Sequence, residues 1–134
     1  MIALDTNVLV RYIAQDDPAQ SRQATMIIAG ALAREETIFI SAIVVCEMIG
    51  VLKGYYKLSK HRIIQVLDSL LTEKGFELEA RPELGKALAD YRHLAGDFTD
   101  YVIGYTARHQ RCSAVFTFDQ GLKTSSLFKV IEGS

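Results

Sequence analysis

Asp5 follows the apolar run Ile2-Ala3-Leu4 directly, and Asp119 follows Ala114 to Phe118 in the same way. Two separate candidate strands therefore each end in a carboxylate. Glu47 stands among Ile43, Val44, Val45, Cys46, Met48 and Ile49, six residues after Ser41 and about one and a half turns into a helix. Acidic side chains are almost never fully buried without a partner, so Glu47 is expected to be sheltered and partnered. Asp97 and Asp100 lie three apart in Gly96-Asp97-Phe98-Thr99-Asp100 and share a face of one helical turn. An N-cap role explains Asp97 without any chemistry, and the helix dipole favours an acid at Asp100. Ordinary loop acids explain Asp5 or Asp119 taken singly. The set of five is harder to explain that way.

Gathering such carboxylates requires a cation. Two like charges about 5 Å apart repel by ~3 kcal/mol at an effective dielectric near 20. An oxygen-only donor set, with no histidine or cysteine at ligand spacing, suits Mg²⁺ or Mn²⁺ rather than zinc. Such ions activate water and stabilise a leaving oxygen in phosphodiester hydrolysis. His61, His93 and His109 fall in three different segments and read as surface or helix-end residues. Gly50, Gly54 and Gly75 fit no phosphate loop or dinucleotide fingerprint.

The elements that must position these acids alternate. Ile2 to Leu4, Thr37 to Ile40, Phe76 to Glu79, Ala114 to Phe118 and Phe128 to Ile131 read as strands. Asp17-Pro18 starts a helix with Ala24, Ile27, Ile28, Ala31 and Leu32 at helical spacing. Ser41 and Ser59 read as N-caps of two more helices, and Gly75 ends the second. Pro82 opens another helix, which Gly96 is expected to stop as its C′ residue. Asp97 then caps a helix running to about His109. Strands alternating with helices imply parallel pairing and a sheet covered on both faces, with sites beyond the carboxyl ends of the strands. The strand ending at Phe118 is expected to be fully buried.

The 134 residues fit one domain, 1–134, and nearly half are apolar. Cys46 and Cys112 form no CxxC pattern and are expected to be buried thiols. No apolar run reaches the roughly 20 residues of a membrane span, and no basic segment precedes the opening apolar stretch, so a soluble, cytoplasmic protein is expected. The net charge of -1 hides an asymmetry: with the five acids set aside, 15 basic side chains face 11 acidic ones. That remaining surface suits nucleic acid.

Four segments together resemble the motifs of PIN-domain proteins, and more narrowly those of VapC-like toxins of bacterial and archaeal toxin–antitoxin pairs. Leu4-Asp5-Thr6-Asn7-Val8-Leu9-Val10 is similar to the first motif, with Asp5 a metal ligand and Asn7 its supporting polar residue. Ile40-Ser41 through Glu47 is similar to the second, with Glu47 as its acid. Asp97 to Ile103 resembles the third, Asp100 being the main acid and Asp97 an accessory one. Phe116-Thr117-Phe118-Asp119 resembles the fourth, with Asp119 the last acid and Thr117 a supporting hydroxyl. Tyr101 departs from the small residue common after the third acid.

The resemblance implies a three-layer α/β/α fold with a central, mainly parallel sheet. It also implies a Mg²⁺- or Mn²⁺-dependent endoribonuclease, dimeric, and held inactive by a small antitoxin. Asp5, Glu47, Asp100 and Asp119 are then catalytic metal ligands with Asp97 assisting, while Asn7, Ser41 and Thr117 orient them. Family contacts to antitoxin and partner subunit generally involve helices of the first half. Lys53-Gly54-Tyr55-Tyr56-Lys57, Lys60 and Arg62 fall there and could also grip RNA, or simply pack at an interface. Two other classes share some of these features. One is a PIN-like module that binds RNA or protein without cutting. The other is a receiver-like domain phosphorylated on aspartate, which calls for a lysine after the late strand; here that strand ends in Asp119.

Overall fold

The computed structural model describes residues 1–133, which divide into two compact units, Met1–Glu79 and a second beginning at Ala80. In the first unit β1 (Ile2–Ala3) leads into α1 (Thr6–Ala14), followed by α2 (Pro18–Ala33), β2 (Ile38–Ile40), α3 (Ala42–Gly54), α4 (Lys60–Thr72) and β3 (Phe76–Leu78). The second unit holds α5 (Arg81–His93), α6 (Phe98–His109), β4 (Val115–Thr117), a 3-10 turn (Gln120–Leu122) and β5 (Phe128–Val130). The strands fall where the apolar runs put them, and α2, α3, α4 and α6 start at Asp17, Ser41, Ser59 and Asp97, but α4 ends at Thr72, ahead of Gly75, and α5 starts at Arg81 rather than Pro82.

All strand pairing among the described residues is parallel, as the alternation requires. In the first unit β2 lies between β1 and β3, with Ile2 opposite Ile38 and Ile38 opposite Phe76. Parallel alignment places the residues that follow β1, β2 and β3 at one edge, and these include Asp5, Ser41 and Glu79. In the second unit β4 pairs with β5, Val115 opposite Phe128.

The caps are local and legible. Asp17 accepts from Gln20 N–H at 3.0 Å, Ser41 from Val44 N–H at 3.2 Å and Ser59 from Arg62 N–H at 3.3 Å. Each satisfies one of the N–H groups that a helix start leaves unpaired. Glu79 adds a second partner to α3, its carboxylate accepting from Ala42 N–H at 2.9 Å. Beneath the helices of the first unit, Leu9, Ile28, Ile38, Ile40, Val45 and Met48 are fully buried. In the second unit Leu84, Phe98, Tyr101 and Leu122 are buried, and α5 packs along α6.

Three expectations are corrected. Gly96 is not the C′ residue of α5, because that helix ends at His93 with Leu94 as an extended C-cap. Gly96 instead turns the chain just before Asp97 at φ +102, a conformation that L side chains rarely adopt. A Cβ there would also meet Leu122 Cδ2 at 2.7 Å. The run from Ala114 to Phe118 is not buried on both faces: Val115 and Thr117 are half-buried, while Phe116 and Phe118 are 68% and 71% exposed. Period-two alternation turns these phenylalanines away from the face that their neighbours share. Nor are the thiols buried, since Cys46 is half-buried on α3 and Cys112 is exposed in the turn after α6. Among the described residues no helix is long and apolar enough to cross a membrane.

Candidate acidic site

In the first unit the chain turns from β1 into α1 at Asp5, which is the N-cap of that helix with extended backbone. Its Oδ1 accepts from Thr6 N–H at 2.8 Å. Thr6, buried at 8% exposure, uses its hydroxyl differently and donates to Glu47 Oε1 at 3.0 Å. One residue thus touches both acids, its amide on Asp5 and its hydroxyl on Glu47. The sequence motif points to Asn7 as the supporting residue and not to Thr6, whose one sequence signal is a small hydroxyl directly after an N-cap aspartate. Asn7 lies on the exposed side of the first turn of α1.

Glu47 itself is exposed, contrary to the sheltered position its neighbours implied. Val44, Val45, Met48 and Ile49 face the core, whereas Glu47 occupies the other side of the same helix. Adjacency in sequence is not adjacency on a helix surface, where neighbours are three and four apart. The Thr6 bond, rather than burial, fixes this carboxylate. The Ser41 hydroxyl is occupied as the α3 cap.

In the second unit Asp97 N–H donates to Asp100 Oδ2 at 2.9 Å, half of a capping box. Asp119 caps the 3-10 turn, its Oδ1 accepting from Gly121 N–H at 2.8 Å. Thr117 Oγ1 accepts from Asp119 N–H at 3.1 Å. Tyr101 is buried in this unit and its hydroxyl donates to the Ala95 carbonyl. Burial first, and then the charges of Asp90, Asp100 and Asp119, push its phenol above the ordinary tyrosine range. Asp100 and Asp119 therefore act on one shared neighbour.

A common feature runs through four acids. Asp5 Oδ1, Glu47 Oε1, Asp100 Oδ2 and Asp119 Oδ1 each accept one hydrogen bond, and the second oxygen of each accepts none among the described residues. A carboxylate steered by one donor with its other oxygen open is suited to a hard cation. Within each unit, no three His, Cys, Asp or Glu side chains stand together as a metal site. Asp5 and Glu47 are joined in the first unit, and Asp97 and Asp100 in the second. His61, His93 and His109 are exposed, the last two being the final residues of α5 and α6.

The PIN domain sequence profile matches residues 2–125, across both units. The chain belongs to the PIN domain family. The three-layer α/β/α class expected from the sequence goes with that membership. The PIN chain is also similar to a VapC ribonuclease of Aquifex aeolicus (strain VF5), at 23% identity over 123 residues covering 92% of this chain and 90% of that protein.

Proposed function

We propose that this PIN domain, residues 1–134 acting together, is a Mg²⁺- or Mn²⁺-dependent endoribonuclease and the toxin of a toxin–antitoxin pair. The observation that carries the reading is Thr6, which ties Asp5 to Glu47 and leaves each carboxylate one open oxygen. Similarity to a VapC ribonuclease supports RNA as the substrate and a small antitoxin as a partner. A second copy of the chain and a cytoplasmic location complete the reading.

Asp5, Glu47, Asp100 and Asp119 are the residues that would hold the cation, with Asp97 assisting. When bound, the ion lowers the pKa of water and offsets charge on the leaving oxygen. The chain's own groups fix the geometry. Thr6 orients Glu47, the Thr117 hydroxyl holds the Asp119 turn, and the Ser41 cap sets the start of the helix that carries Glu47. Asn7 orients the neighbourhood of Asp5. Water adds to phosphorus, the bond to the departing ribose oxygen breaks, and that oxygen takes up a proton.

The deciding experiment is cleavage of a panel of structured RNAs in EDTA, Mg²⁺ or Mn²⁺, beside Glu47→Gln. Cutting that needs the ion and disappears in the variant is the expected result. A folded wild type that binds RNA and ion but cuts nothing would replace the nuclease with the non-catalytic binding module.

A further inference from the structure

Beside Asp5 the first unit carries a groove of about 260 Å³ between α1 and α2. Its polar lining is Asn7, Arg11, Gln20 and Gln23, over an apolar surface of Val8, Ala24 and Ile27. Asn7 is two residues from Asp5, and Arg11 lies one turn further along the same face of α1, about 6 Å along the axis. The groove therefore starts close to Asp5 and runs along α1 away from it.

Arg11 is held by three side chains. Its Nε donates to Gln20 Oε1 at 2.8 Å, and one terminal nitrogen reaches Asp16 Oδ1 at 3.2 Å and the Tyr56 hydroxyl at 3.0 Å. Tyr56 in turn donates to Asp16 Oδ2 at 2.7 Å. The guanidinium is thus pinned on two edges, and its other terminal nitrogen has no hydrogen-bond partner among the described residues. Asp16 offsets its charge, and the other polar groups of the lining are neutral amides. The Asp16 charge weakens the pull of this cation on a phosphate. A fixed plane with amide donors and acceptors over apolar carbon suits a planar, uncharged ligand. Unstacked RNA bases are recognised in this way, by stacking on guanidinium planes and by hydrogen bonds along their edges. Glutamine and asparagine pair two-pronged with base edges.

We infer that the α1–α2 groove receives one unstacked base of the RNA next to the scissile bond, with Arg11 as a fixed platform and Gln23 reading the base edge. The inference rests on the RNA reading above and adds where sequence preference comes from.

Its test uses random-sequence RNA cleaved with Mg²⁺ by wild type, Gln23→Ala and Arg11→Lys, with cut sites sequenced. A parallel binding measurement in EDTA uses single-stranded homopolymer RNAs at several salt concentrations. Gln23 is exposed on α2, so its truncation leaves the fold alone. Arg11→Lys keeps the charge but not the planar fork. The expected result is a base preference at one position beside the cut that falls on the order of tenfold in both variants, with the salt slope unchanged. An unaltered preference in both variants overturns the groove while the nuclease reading stands. A uniform loss of affinity with a shallower salt slope in Gln23→Ala, and retention in Arg11→Lys, overturns it in favour of a phosphate contact. A wild type that cuts nothing but binds with a base preference that Gln23→Ala removes keeps the groove and sinks the nuclease. Absence of any base preference in wild type overturns the groove.

Discussion

The hydroxyl of Thr6 donates to Glu47 Oε1 at 3.0 Å, joining residues 41 positions apart. Thr6→Val keeps the shape and removes that donor. Stability should fall by about 0.5–1.5 kcal/mol, the usual net worth of one hydrogen bond. RNA cleavage should fall much further, roughly 10–100-fold, as when an outer partner of a metal ligand is lost. Urea denaturation and single-turnover cleavage read the two effects separately. Equal small losses in both would make Thr6 purely structural.

Asp5→Asn and Asp119→Asn separate charge from capping. Asparagine is as good an N-cap as aspartate and keeps the oxygen that accepts from Thr6 or Gly121. Unfolding free energy should stay within about 0.5 kcal/mol of wild type. Cleavage should drop by more than the ~100-fold upper range for outer partners. Full activity in either variant would remove that residue from the metal set.

Gly96→Ala should destabilise the second unit. The left-handed backbone costs an L residue about 1–2 kcal/mol, and the new methyl must also displace Leu122. A fall of roughly 3–8 °C in Tm by calorimetry is expected. Because Gly96 directly precedes the Asp97–Asp100 pair, activity should decline as well. An unchanged Tm would mean that the turn has another conformation in solution.

Tyr56→Phe should flatten the acid limb of stability. The Tyr56 hydroxyl foremost, with Arg11 aiding, holds the Asp16 carboxyl below the ordinary aspartate range. A depressed folded-state pKa contributes stability above the unfolded value of about 3.9, and that contribution is lost as pH falls through the folded value. Removing the hydroxyl brings the two values closer, with Arg11 still holding the folded one down. The difference between wild type and variant, read from urea midpoints at pH 7 down to 2, should therefore shrink as the medium becomes acidic. A constant offset across that range would contradict the assignment.

What could be read from sequence was whatever depends on a few neighbouring residues. Asp17-Pro18, Ser41 and Ser59 announce helix starts because a cap and the amide it accepts from lie within three positions of each other. The strands before Asp5 and Asp119 were visible as apolar runs with polar ends, which placed both acids correctly at the end of a strand. Exposure was harder to read. Glu47 looked enclosed because its sequence neighbours are apolar, yet they face another side of α3. Phe116 and Phe118 looked buried because an apolar run does not show which of its faces is covered. Thr6 and Glu79 escaped notice because their partners, Glu47 and Ala42, are distant in sequence. The departure at Tyr101 also has a physical account: its ring is buried and its hydroxyl is spent on the Ala95 carbonyl.

The parallel pairings also bear on how the chain folds. Ile2 meets Ile38 only after α1 and α2 have been spanned, and Ile38 meets Phe76 only after α3 and α4. Val115 reaches Phe128 across little more than a 3-10 turn. Closing a long loop costs entropy before its contacts repay it, so long-range pairing is slow. The β4–β5 pairing therefore has less closure entropy to overcome than either pairing of the three-stranded sheet, whose two register gaps are nearly equal.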